Sequence, residues 1–209
     1  MFIRAIWFPT VPLRRPRAIL HALQHLIALG CCALLLSACA GLRPGSVDAQ
    51  TQAALRQLLE LQKQRLDVAT PVARSKWNSG AAIDDPAREA AILNEVAAQA
   101  QKSGVDPQWS RRFFQDQFDA GKIVQRELHA QWRAQGLPPF AAPPDLAREV
   151  RPVLDKLTPA LLQSLLRLQG RWCETGMRAE LAALSSRILA KDYDRAVRER
   201  ALASLLCPD

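Results

Sequence analysis

The sequence predicts an all-α fold, a single-domain helical bundle built from long, kinked helices. Three observations predict it. Apolar residues recur at spacings of three and four over most of the chain, the period of a helix with one buried face. Helix-favouring Leu, Ala, Gln, Arg and Glu recur throughout, while only 9 Gly occur in 209 residues. Two Asp-Pro pairs, Asp85-Pro86 and Asp106-Pro107, each set an N-cap before a proline at the first helical position. No alternating run is long enough for a strand. With 49% hydrophobic and 23% charged residues, the composition suits one globular domain.

The first 38 residues stand apart. Arg14, Arg15 and Arg17 precede an apolar stretch at 26–36, and no acid occurs before Asp48, which is the pattern of an export signal. The stretch ends in Leu36-Ser37-Ala38-Cys39, similar to the bacterial lipobox, whose cysteine is lipidated after cleavage in front of it. Ala38-Cys39-Ala40 also offers a small-residue site to ordinary signal peptidase. The expected organisation is a signal peptide at 1–38, a lipidated Cys39, a tether at 40–47 and one domain at 48–207. The protein is then exported and periplasmic, and touches the membrane only through its lipid anchor. No apolar run of membrane-spanning length follows residue 40.

Export also accounts for the cysteines. Of 5, Cys31, Cys32 and Cys39 lie in the leader or lipobox, and Cys173 and Cys207 remain to form one disulfide in an oxidising compartment. Arg4, Arg14, Arg15 and Arg17 leave with the leader, so 24 of the 28 basic residues face 20 acidic ones. A net charge that mild, with no basic run interleaved with aromatics, excludes nucleic acid as the partner. It leaves room for a small anion.

The elements follow in order. A helical stripe over 48–77 carries Leu55, Leu58, Leu59, Leu66, Ala69, Val72 and Ala73; Pro71 should kink or break it, and Asn78-Ser79-Gly80 closes it. A second helix starts at Asp85 and ends near Lys102, before Ser103-Gly104. A long third runs from Asp106 to about Ala134. GLPPFAAPP at 136–144 is a stiff loop. Asp145 caps a further helix that Pro152 and Pro159 should divide, and one or two shorter helices fill 174–206.

Polar residues sit on these apolar stripes. Arg65 and Lys76 are eleven residues apart, about three turns and 20°, so they project from one side with Cα atoms about 16 Å apart. Gln117, Gly121, Gln125 and Leu128 fall in line with Phe113, Phe114 and Trp132. A buried glutamine left unbonded costs about 1–3 kcal/mol, and Gly121 makes room beside Gln125. One such cation at a stripe edge reads as a snorkelling side chain. Several converging inward need counterions, and nearby acids are too few for Arg65, Lys76, Arg88 and Arg151, so an anionic ligand is expected. His129 is the one histidine after the leader, so His-rich metal sites and Ser-His-Asp catalysis lack parts, and no Gly-rich phosphate loop is present. No metal or cofactor is expected.

The runs RLDVATPVARSKW, IDDPARE and FFQDQFDAGKIVQ resemble the secreted (gamma) subclass of AroQ-type chorismate mutases, closely over about 55–132. Beyond the proline loop the likeness weakens, and Arg151 in REVRPVLDKL is the match to a family arginine. The resemblance implies the AroQ-type all-helical fold and cofactor-free conversion of chorismate to prephenate, in a homodimer with each site inside one chain. It implies that Arg65 and Arg151 bind the two substrate carboxylates, and that Lys76 and Gln125 flank the ether oxygen. It also implies that Asp85, Arg88 and Glu89 orient the ring hydroxyl and support the cations. Gly121 departs from the small hydroxyl residue often found at its position. The contrasting reading is a non-enzymatic helical lipoprotein with a vestigial site.

Overall fold

The computed structural model describes residues 47–207; the leader, Cys39 and the tether up to residue 46 lie outside it. α1 (Ala49–Asp67) begins where the Asp48 carboxylate accepts from Thr51 N at 2.9 Å and from Thr51 Oγ1 at 2.6 Å. α2 (Ala69–Ser79) restarts directly after Val68. The break expected at Pro71 therefore comes three residues earlier. In the first turn of α2 the missing N–H of Pro71 costs nothing, because the first amides of a helix have no intrahelical acceptor. Gly80 ends α2 at φ 70°, a left-handed position that suits glycine.

α3 (Pro86–Lys102) and α4 (Pro107–Ala134) start at the two Asp-Pro signals. Asp85 accepts from Arg88 N at 3.1 Å and Asp106 accepts from Trp109 N at 2.6 Å. The loop that follows α4 leads into one π-helical turn, Leu146–Val150, and then α5 (Arg151–Leu168). Asp145 caps the π turn through Ala147 N and Arg148 N, while Glu149 Oε1 accepts from Asp145 N. Pro152 has no N–H for the Arg148 carbonyl, and the chain widens just before it: Arg151 N bonds to Leu146 O, five residues back. The division thus falls at Arg151. Pro159, expected to divide the same segment, does not: α5 runs through it. The carbonyl it deprives belongs to exposed Asp155, which water can satisfy. α6 (Met177–Ile188), α7 (Arg195–Leu202) and a 3₁₀ turn at Ala203–Leu205 complete the described residues, which contain no strand.

α4 is the central element, packed by α2, α3 and α7, while α1 packs on α5 and α6. The core joins Leu55, Leu58, Leu59 and Leu66 of α1 to Phe113 and Phe114 of α4 and to Leu161, Leu162 and Leu165 of α5. Each such fully buried side chain contributes about 1.5–3 kcal/mol. α7 is tied in by polar contacts as well: its Ala201 carbonyl accepts from Gln62 Nε2 at 3.0 Å and from Gln117 Nε2 at 2.8 Å. Cys173 and Cys207 are bridged, with Cα atoms 5.1 Å apart, which pins the chain beyond α7 to the α5–α6 connection. For a closed loop of 34 positions the chain-entropy model gives about 3–4 kcal/mol. No helix among the described residues is long and apolar enough to cross a membrane.

Candidate active site

The end of α1, the length of α2, the start of α3, the middle of α4 and the π turn enclose a cavity of about 260 Å³. Arg65, Lys76, Asp85, Arg88, Glu89, Gly121, Gln125 and Arg151 all line it. The break at Val68 puts Arg65 and Lys76 on separate helices, yet both face this space. Val72, expected in the core stripe, is only half-buried because it lies on the cavity wall. Apolar wall is also supplied by Ile83, Ile92, Phe118 and the π-turn residues Leu146 and Val150.

The charges are unequal. Five cationic side chains, Arg65, Lys76, Arg88, Lys122 and Arg151, line the cavity with two carboxylates, Asp85 and Glu89. Arg65 has no hydrogen bond or ion pair in the described protein, and its Nε is buried without a partner. Its guanidinium lies over the rings of Phe114 and Phe118, 5.4 and 5.1 Å from their centroids. Burial pulls it down to about 10, still charged at neutral pH. Gln125, buried on α4, makes no hydrogen bond among the described residues, and its Oε1 is shut off from solvent. Gln117 Oε1 is likewise unpartnered. Such groups are costly unless something else completes them.

Lys76 differs from the expected cation among cations. Its Nζ donates to the Ile83 carbonyl at 2.7 Å. Burial lowers its pKa, opposed by the carboxylates of Asp85, Glu89 and Asp84, and Arg88 is the cation that acts against it. The IDDPARE segment therefore brings its acids to the lysine by wrapping over the end of α2. Asp85 is occupied as the α3 N-cap, whereas exposed Arg88 carries no ion pair among the described residues. Gly121 owes nothing to tight helix packing: a Cβ there would meet only Ala69 Cβ, at 4.0 Å.

Sequence reasoning missed Lys122. It pairs with Glu89 at 2.9 Å and Asp119 at 2.9 Å and reaches Asp84 at 3.8 Å. Burial lowers its pKa, but its bonds to Asp119 and Glu89 outweigh this and hold it above the ordinary lysine value. Its position directly after Gly121 was the available signal, though it sits about 100° off the stripe of Gln117, Gly121 and Gln125.

The chorismate mutase type II family model matches residues 48–126. A secreted chorismate mutase of Mycolicibacterium smegmatis is 34% identical over 165 residues, covering 78% of this chain and 82% of that protein. The secreted chorismate mutase of Mycobacterium tuberculosis is 30% identical over 197 residues, covering 92% and 90%. The crystal structure of chorismate mutase from Burkholderia thailandensis superposes with a TM-score of 0.67 at 39% identity, covering 73% of this chain and 98% of that one.

Proposed function

The chain belongs to the type II chorismate mutases, and on that premise we propose how its cavity turns chorismate into prephenate. It is an exported isomerase. The rearrangement is pericyclic: a carbon–carbon bond forms as the ether carbon–oxygen bond breaks, within one molecule and with no proton transferred. The protein must hold a dianion in a compact shape and stabilise the charge that grows on the ether oxygen. The observation that carries this reading is the imbalance of five cations over two carboxylates around a buried arginine that has no counterion among the described residues.

Arg65, on its aromatic shelf, takes one substrate carboxylate and Arg151, at the π-turn junction, takes the other. Lys76 turns from the Ile83 carbonyl to the ether oxygen, and the unbonded amide of Gln125 donates from the opposite side. Arg88 and Glu89 orient the ring hydroxyl, Asp85 fixes the start of α3 beneath them, and Lys122 holds Glu89 in place. Gly121 leaves the ring its volume. An acceleration near a millionfold requires about 8 kcal/mol. Two or three charge-assisted hydrogen bonds of about 1.5–3 kcal/mol each, together with confinement, supply that amount.

The same reading takes the leader as a signal peptide, Cys39 as the lipid anchor on the periplasmic side, and a homodimer with each site inside one chain. Purified mature protein should abolish the ultraviolet absorbance of chorismate, which loses its conjugated ring diene on rearrangement. No change at generous enzyme concentration would favour the non-enzymatic helical module instead.

A further inference from the structure

A second cavity, of about 850 Å³, shares no lining residue with the first. It lies where the start of α4, the 169–176 connection, the first turn of α6 and the turn after α7 meet. Its floor is apolar: Trp109 and Trp172 stand edge to face with centroids 5.6 Å apart, beside the Cys173–Cys207 bridge. Its rim is cationic, with Arg112, Arg178 and Arg200.

The polar groups on its wall are unevenly matched. Trp172 Nε1 and Ser204 Oγ are buried and find no partner among the described residues. An indole N–H can only donate. The two carboxylates on the wall are already engaged. Asp106 accepts from Trp109 N, while Asp116 accepts from Ser204 N at 2.9 Å and pairs with Arg200 at 3.2 Å. Arg200 is held by Asp116 and Asp119, so what remains is the charge of Arg112 and a donor-only indole N–H beside two aromatic faces, which is the complement of an anion attached to an apolar ring.

We infer that this cavity binds a small aromatic carboxylate, its ring against Trp109, Trp172 and the disulfide, its carboxylate on Arg112 and Trp172 Nε1. Inorganic phosphate shares the charge but gains nothing from the floor. The uncharged amide of the same acid shares the ring but not the attraction to arginine.

The test uses the mature, disulfide-bonded protein and phenylacetate, phenylacetamide and inorganic phosphate as probes, titrated by calorimetry. Because the first cavity also attracts carboxylates, each titration is repeated in Arg65→Ala. Phenylacetate should saturate one site per chain, and that site should persist in Arg65→Ala. Arg112→Ala should weaken it by about tenfold or more, the loss of one charge-assisted hydrogen bond. Trp172→Phe, which keeps a ring but deletes the N–H, should weaken it too; exposed Arg112 provides the variant that leaves the fold intact. Phenylacetamide and phosphate should bind far more weakly. The inference fails if phenylacetate does not saturate, if either other probe matches it, or if binding disappears in Arg65→Ala and survives in Arg112→Ala.

Discussion

Asn78 and Phe140 clasp each other through two hydrogen bonds: Asn78 Nδ2 donates to the Phe140 carbonyl at 2.7 Å, and Phe140 N donates to Asn78 Oδ1 at 2.8 Å. One side-chain amide thereby satisfies both backbone groups of a residue in a loop with no regular structure of its own. The Phe140 ring is fixed as well, 4.9 Å from Trp132 and 5.2 Å from the Arg74 guanidinium. The clasp fastens the proline-rich loop to the end of α2, two residues beyond Lys76, and that loop leads into the π turn that walls the cavity.

Asn78→Ala should therefore act on substrate binding from a distance. Two hydrogen bonds disappear, at about 1 kcal/mol each, and the Leu146, Val150 and Arg151 wall loosens. KM should rise by about fivefold or more while kcat falls less. Steady-state kinetics on the purified variant decide it, and unchanged KM would mean the clasp supports only the loop.

Lys76→Ala should cost about 3 kcal/mol or more of transition-state stabilisation, read from kcat/KM. The same change removes the bond to the Ile83 carbonyl and one attractive cation from Asp85, Glu89 and Asp84, of which Glu89 and Asp84 keep Lys122. Stability should fall by only about 1 kcal/mol, measured by urea unfolding. An active but unfolding variant would make Lys76 structural.

Gln125→Glu tests which proton reaches the ether oxygen. An amide N–H donates at every ordinary pH, whereas a carboxyl donates only when protonated and otherwise repels the growing charge. The variant should work at acidic pH and lose kcat/KM as pH rises through the carboxyl pKa, while the wild type stays nearly flat. Identical profiles would place Gln125 away from the reacting oxygen.

Gly121→Ala should separate folding from function. Mid-helix glycine costs about 0.5–1 kcal/mol relative to alanine, and the new methyl meets nothing closer than 4.0 Å. The melting temperature should rise by a few degrees while kcat/KM falls, because the methyl occupies volume meant for the ring. A variant that is stabilised and fully active would show that the space is not used.

Asp119 gives stability a pH dependence. Burial raises its pKa, but bonds from Lys122, Arg200 and Gln115 outweigh this and hold it below the ordinary value. A depressed carboxylate stabilises the fold above its unfolded pKa, about 3.9, and loses that contribution as pH falls through the lower folded value. Lys122, held high, runs the opposite way and loses its contribution only at strongly alkaline pH. The stability gap between wild type and Asp119→Asn should be wide near about pH 7 and narrow towards about pH 3, in denaturant midpoints. A constant gap would deny the ion pairs their role.

Most of the fold is legible because its boundaries are local. Asp85 and Asp106 mark helix starts through bonds to residues three away, and Gly80 and Gly104 mark ends through their own positive φ. Arg65, Lys76 and Gln125 are legible because a polar residue on an apolar stripe breaks the period. The rest depends on distant partners. The break at Val68 carries no proline or glycine, and the π turn sits before a proline that the residue pattern shows only as a point of division. Lys122 could be recognised only through Glu89, 33 residues before it, and Asp119 only through Arg200, 81 residues after it. The ease with which α5 passes Pro159 depends on where its freed carbonyl points, which no pattern of residue types records.

The shared carbonyl of Ala201 sets the order in which this pocket can come into being. Gln117 is anchored to it across 84 residues, and Gln62 across 139. A chain emerging from a ribosome or a translocation pore could build α1 to α4 early, but the amide bordering the pocket would lack its acceptor until α7 had arrived. A stalled or prematurely released chain would then carry the arginines and the lysine without the framework that aims them. Completion of the pocket is a late event in the life of each molecule, and it coincides with the arrival of the segment that carries Cys207 to its partner.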